Sequence, residues 1–194
     1  MDDDPYCWPG TECLRNLLDI RDAKELDKAE HELAGVRNAA LTASTLPGAY
    51  DLAHLRRFHR FLFQDVYDWA GELRTVDIYK GEVGFCRAQD VDHRLEQLFG
   101  KLATRRLLVT LEWDSYVIAF ATVYGELNAI HPFREGNGRT QRAFLRQFAA
   151  HAGWTVAWES LTRRDNDAAC HRYLTTGKPH ALIKLLAPAI APRM

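Results

Sequence analysis

HPFREGNGRTQR, residues 131–142, is the stretch from which this sequence is read. A histidine precedes a proline, two glycines flank an asparagine, and two arginines stand three apart. Upstream, SYVIAFATVYGELNAI (115–130) is almost continuously apolar, which predicts a central helix buried on most sides, with Asp114 as its N-cap. That helix should end before Pro132, because a residue preceding proline avoids the α region. Downstream, RTQRAFLRQFAAHAG places Phe144, Leu145, Phe148 and Ala152 on one face. This predicts a second helix that begins near Gly138 and stops at Gly153. The quoted stretch is then a glycine-rich loop between two helices. Glycine costs a helix up to about 1 kcal/mol relative to alanine, and proline more. A segment that accepts several of them is shaped for a ligand.

A helix N-terminus offers unpaired backbone N–H groups and the positive end of the dipole. Gly136 and Gly138 let the backbone approach closely, so that successive N–H groups form an anion-binding nest. Asn137 can add a side-chain donor. Arg139 and Arg142 share one face of the first turns, and guanidinium groups there suit a polyphosphate. Cations are unfavourable at a helix N-terminus unless an anion sits between them. Glu135 supplies a carboxylate of the kind that holds Mg²⁺ together with substrate phosphates. His131 can face the same point as a general base, and Phe133 anchors the loop. The set points to phosphate-containing nucleotide chemistry. It is not a Walker loop, since G-x-x-x-x-G-K-[ST] does not occur.

The rest of the chain fits a mainly α-helical domain spanning all 194 residues. Residues 22–42 carry Leu26, Ala29, Leu33, Val36 and Ala40 at helical spacing, and Pro47-Gly48 breaks the pattern. Leu52, Leu55, Phe58 and Leu62 mark a second helix; Val91, Leu95, Leu98 and Leu102 mark another over 89–104. Between them, RTVDIYKGEVGFCRA favours extended structure at Thr75, Val76, Ile78 and Tyr79, turns at 80–84 and returns through Phe85-Cys86. One short β-hairpin is therefore expected over about 75–86. Weaker helices are expected over 165–175 and 179–190. His54, His59 and His93 lack ligand-like partners at suitable spacing and read as structural or surface residues. The five tryptophans read as packing, and none is assigned to a base.

Hydrophobic content of 47% and charged content of 26% are ordinary for a globular protein. A net charge of −1 provides no basic field for nucleic acid. The N-terminal MDDDPYCWPG lacks the basic and apolar regions of a signal peptide, and no run of about 18 apolar residues predicts a membrane span. Cys7, Cys13, Cys86 and Cys170 follow neither zinc nor disulfide-framework spacing, which fits a reduced, cytoplasmic setting.

With these residues in place, the sequence resembles the Fic family, whose signature H-P-F-x-[DE]-G-N-G-R-x-x-R is met at every defined position by 131–142. YCWPGT, VYDWAGELRTVDIYKG and ELNAI also look like small bacterial Fic proteins; the last forty residues resemble them only loosely. The resemblance implies the Fic fold, a helical bundle around a central helix–loop–helix. It implies transfer of AMP from ATP to a hydroxyl of a target protein bearing an exposed Tyr, Ser or Thr. In that scheme His131 is the base and Glu135 holds Mg²⁺. The Gly136-Asn137-Gly138 nest stabilises phosphate charge, while Arg139 and Arg142 hold the β- and γ-phosphates. The hairpin corresponds to a flap in which Lys80, Gly81, Glu82, Val83, Gly84 and Phe85 register the target by main-chain pairing.

Many relatives carry an inhibitory helix, [ST]-x-x-x-E-[GN], whose Glu would pair with Arg142. Thr122…Glu126 is followed by Leu127 and falls inside the central helix, and no Glu follows Glu159. The chain thus resembles toxins held by a separate small antitoxin, a class associated with DNA gyrase and topoisomerase IV. It would also suit a Fic domain excised from a larger delivered effector. Transfer of UMP or phosphocholine, and a nucleotide-sensing module without transfer, are rival readings; the intact His131 argues against the second. Kinase-like relatives carry lysine where Gly138 stands.

Overall fold

The computed structural model describes residues 4–193. Met1, Asp2 and Asp3, part of the acidic lead, and Met194 lie outside the described residues. The fold is built from seven α-helices and two small antiparallel sheets among those residues.

Local chemistry starts several helices. Asp22 accepts from the amides of Lys24 and Glu25 and begins α1, Ala23–Ala43. Asp51 accepts from His54 N and begins α2, Leu52–Phe63. α3 spans Val91–Thr104 behind a 3₁₀ turn at Ala88–Asp90. The central helix α4 spans Trp113–Ile130 with Glu112 at its N-cap. Asp114 therefore stands in the first turn and not at the cap, where its charge still complements the helix dipole. α5, Asn137–His151, is capped by Gly136 and ends at Ala152 and Gly153, the latter in a left-handed conformation. Thr162 caps α6, Arg163–Thr176, by accepting from Asp165 N. α7 is short, His180–Leu186.

α4 buries residues on most sides, including Tyr116, Phe120, Tyr124, Leu127 and Ile130, and leaves one stripe through Ile118 open. It lies against α3, α5, α6 and α7, while α2 bridges α1 to α5. The core closes around Phe58, Phe144 and Phe148 with Leu55, Leu62 and Leu95. The buried line on α1 is Leu26, Glu30, Ala34 and Leu41; Val36 and Ala40, expected on the inner face, are exposed. A charged residue at a core position shifted that face away from the apolar pattern.

The expected hairpin is present but tighter. β1 (Tyr79–Lys80) pairs with β2 (Val83–Gly84) around a two-residue Gly81-Glu82 turn, so Lys80, Val83 and Gly84 belong to strands. Phe85 and Cys86 lie beyond the ladder; their amides bond to Ile78 O and Ala129 O. A second sheet joins β3 (Trp154–Val156) to β4 (Ile190–Pro192), where the sequence suggested the end of a helix. All four cysteines are free thiols. No helix among the described residues is long and apolar enough to cross a membrane.

Candidate active site

The loop between α4 and α5 forms the floor of a cleft of about 430 Å³. Ile78, Tyr79, Lys80 and Phe85 wall it on the hairpin side, and Asn166, Asp167 and Cys170 of α6 on the other. The cleft continues past Gly138 and Arg142 towards Asp27 and His31 of α1. Across its mouth Lys80 Nζ lies 3.1 Å from Asp167 Oδ2.

His131 terminates α4 in the left-handed region, φ 49°, a conformation seldom held without constraint outside glycine. Its backbone N–H still bonds to Leu127 O, and its Nδ1 lies 3.1 Å from Asn128 O. A carbonyl accepts only from a protonated nitrogen, so Nδ1 carries the hydrogen and Nε2 keeps its lone pair. Burial lowers the imidazole pKa to about 4 against the raising effect of the Asn128 carbonyl, with the charges of Arg74 and Lys80 lowering it further. Phe85 stacks on the ring, centroids 3.9 Å apart. The result is a neutral imidazole held on one edge and available on the other.

Loop 132–138 is rigid for identifiable reasons. Phe133 is fully buried and stacks on His59 at 3.9 Å. Asn137 closes a ring on it: Oδ1 accepts from Phe133 N at 2.9 Å and Nδ2 donates to Phe133 O at 2.7 Å. The Asn137 side chain, expected as a ligand donor, is consumed by the loop, which leaves its backbone N–H for a ligand. Gly136 has φ 78°, and a Cβ there would lie 2.3 Å from the Phe63 ring, so only glycine fits. Gly136 N donates to Glu135 Oε1 at 2.8 Å. The nest thus receives a carboxylate oxygen from its own loop, at the position suited to an anion.

Arg139 is not free. It pairs with buried Glu30 of α1, lies 3.6 Å from Glu135 Oε1 and rests over the Phe63 ring at 4.8 Å. Glu30 also accepts from Tyr67 Oη. Burial raises the Glu30 pKa, while the Arg139 charge and the Tyr67 bond lower it. Burial, and then the Glu30 charge, raise the Tyr67 phenol. Arg142 folds over Gly138, where a Cβ would lie 3.2 Å from its Nη1, and lines both parts of the cleft. Among the described residues it pairs with no carboxylate. Glu126 is directed elsewhere, to Arg94 at 3.0 Å and Tyr173 Oη at 2.9 Å.

No cluster of three or more His, Cys, Asp or Glu suited to a metal occurs among the described residues. Glu135, with its side chain about half exposed, offers one carboxylate. That donor set fits a Mg²⁺ ion whose remaining ligands are phosphate oxygens and water, and not a protein-only cage.

Sequence reasoning missed three residues that hold this site. Glu30 anchors Arg139. His59, fully buried, accepts from Gly71 N through Nδ1 (2.8 Å) and lies 3.0 Å from Glu135 O through Nε2. Arg74 gathers the carbonyls around His131. An acidic residue amid an apolar helical face was the only signal available for the first. His59 was read only as structural or surface, and Arg74 lies within the family-like stretch VYDWAGELRTVDIYKG, which by itself assigned it no role.

A family model described as Fic/DOC family matches residues 49–149, more than half of the chain. The chain belongs to the Fic/DOC family. "Probable protein adenylyltransferase Fic" of Escherichia coli (strain K12) is 40% identical over 160 residues, covering 82% of this chain and 79% of that protein. "Protein adenylyltransferase VbhT" of Bartonella schoenbuchensis is 38% identical over 162 residues, 84% of this chain but only 34% of its own length. The crystal structure of BepC from Bartonella tribocorum, with bound AMPPNP, superposes with a TM-score of 0.91 at 25% identity and covers 97% of both chains. The mainly helical Fic fold expected from the motif is therefore the fold of this chain.

Proposed function

We propose that this chain is a protein adenylyltransferase that moves AMP from ATP to a hydroxyl side chain of a target protein. The carrying observation is the neutral His131, its Nδ1 engaged and its Nε2 open, beside an anion nest in one cleft. The relatives' names supply the transferred group, and the nucleotide bound to the similar BepC structure supports a nucleotide site of this shape.

In this reading the target hydroxyl lies against His131 Nε2, which takes its proton as the oxygen attacks the α-phosphorus. The bond from that phosphorus to the bridging oxygen breaks, and pyrophosphate leaves. The amides of 136–138 stabilise the charge that develops on the phosphate oxygens. Arg139 and Arg142 hold the β- and γ-phosphates, and Glu135 would hold Mg²⁺. Bound Mg²⁺ would neutralise phosphate charge. Residues 80–85 pair with the target's main chain along the hairpin edge.

The finer proposal is a toxin restrained by a separate antitoxin. Arg142, without a carboxylate partner among the described residues, is suited to receive an inhibitory Glu from another chain. A type II topoisomerase subunit is the target class the resemblance suggests, and the free thiols fit a cytoplasmic place of action. The test is incubation with ATP labelled on the α-phosphate, Mg²⁺ and a bacterial lysate, beside His131→Ala. Label on protein that requires His131, and an AMP mass on a Tyr, Ser or Thr peptide, is the expected result. A UMP adduct formed only with UTP would change the nucleotide. No adduct from ATP, UTP or CDP-choline would replace transfer with nucleotide sensing.

A further inference from the structure

We propose that Arg74 is a positioning residue that locks the hairpin to the turn carrying His131, and so fixes the target strand relative to the base. Its catalytic consequence rests on the adenylyltransferase reading; its structural content does not.

The Arg74 side chain is completely buried, and Asp77, half exposed and 3.9 Å away, is the carboxylate within reach among the described residues. A buried cation without a close counter-ion is costly unless its donors are all used. Here four of the five go to main-chain carbonyls, and the fifth, on Nη1, lies on the side of Asp77. Nε donates to His131 O at 2.8 Å, Nη1 to Val76 O at 2.6 Å, and Nη2 to Ile130 O at 3.1 Å and to Cys86 O. The Arg74 backbone N–H donates to Pro132 O at 2.9 Å.

These acceptors fall into two sets. Ile130 is the last residue of α4, so its carbonyl lacks an intrahelical donor and sits at the negative end of the dipole. With His131 and Pro132 it forms the turn that gives His131 its left-handed backbone. Val76 and Cys86 are the two stems of the hairpin, one ahead of β1 and one after β2. A single guanidinium therefore replaces the counter-charge of the helix end and clamps both stems to it. Phe85, next to Cys86, is thereby brought onto the His131 ring. The planar fork of arginine reaches three directions at once, whereas lysine offers one nitrogen.

The experiment uses the full chain. In the wild type, ¹⁵N spectra should show separate, slowly exchanging Arg74 guanidinium protons; degenerate signals exchanging at the solvent rate would overturn the lock whatever the variants do. Arg74→Lys keeps the charge but gathers its donors on a single nitrogen that cannot span the two sets of carbonyls. In the folded variant, hydrogen exchange at the Phe85 and Cys86 amides should quicken at least tenfold, while ATP affinity stays within about twofold. Target labelling should fall at least thirtyfold in kcat with the KM for ATP unchanged. Unchanged exchange and labelling in the folded variant would refute the proposal. Loss of ATP affinity in step with labelling would also refute it, since that is the mark of general structural damage. If the wild type labels nothing, the guanidinium and amide exchange still decide the lock, and the transfer reading fails separately.

Discussion

His59 gives the most direct test of how this site is held. Its Nδ1 accepts from Gly71 N and its Nε2 faces the Glu135 carbonyl, so the native ring is the neutral Nε2–H form. Burial, opposed by the Glu135 carbonyl, drops its pKa to about 3. Protonation would put a second N–H against the Gly71 amide in a fully buried site. In the unfolded chain the imidazole titrates near its ordinary value of about 6.5. Between these limits the unfolded state binds one more proton, so stability falls as pH falls, by about 1.4 kcal/mol per pH unit. The full window corresponds to about 5 kcal/mol, as an order of magnitude. His131, lowered to about 4, and His54, also lowered by burial, act in the same direction. Glu30, raised mainly by burial, opposes them above the ordinary carboxylate range.

The difference between wild type and His59→Gln removes those shared contributions. Urea unfolding of both proteins at several pH values from 7.5 to 4.5 is the assay. The glutamine variant is expected to be less stable at pH 7.5. Its deficit should shrink by about 2 kcal/mol between pH 6 and 4.5, the product of the slope and the interval. A deficit constant across that range would refute the argument that His59 is held neutral by burial and its two partners.

Gly136→Ala is expected to lose about 2–4 kcal/mol of unfolding free energy, from the left-handed backbone and the collision with Phe63 together. Its urea midpoint and ATP affinity should both drop, and a wild-type midpoint would count against the clash. Glu30→Gln keeps the shape, removes the charge, and puts an N–H donor in place of one of the two oxygens that accept from Tyr67 and Arg139. Removing one partner of a buried ion pair leaves the other charge uncompensated, at a cost of about 3–5 kcal/mol when both are buried; Arg139 is partly exposed and has Glu135 nearby, so the expected loss is about 1–3 kcal/mol. The KM for ATP should also rise several-fold as Arg139 loses its anchor; titration calorimetry with an unhydrolysed ATP analogue would show an unchanged affinity if the anchor is irrelevant.

The long helices were legible because apolar residues repeat at helical spacing, and the loop because its glycines and proline had no place in a helix. His131, Glu135 and the nest were visible as residue types in one motif. Glu30 was hidden because a carboxylate at a core position looks like a break in the apolar face of α1 until Arg139, 109 residues away, is seen beside it. Arg74 was hidden because its partners are carbonyls, which every residue possesses. Asn137 was misread for the opposite reason: its side chain closes its own loop within four residues, a local bond that propensity does not distinguish from a ligand contact. β3 and β4 pair across more than thirty residues and have three residues each, too short for alternation to show.

The N-terminal lead has a practical bearing on how the protein is handled. Arg134, beside Glu135, is gripped by Asp4 at 2.7 Å, and Tyr6 Oη accepts from Thr75 N at 3.1 Å, next to Arg74. β4 is stitched instead to β3, beyond the far end of α5, a helix of 15 residues and so about 22 Å long. An affinity tag or fluorescent fusion joined ahead of Asp4 would tug on the loop and the hairpin together. The same label placed after Arg193 would hang a full helix length from the nucleotide.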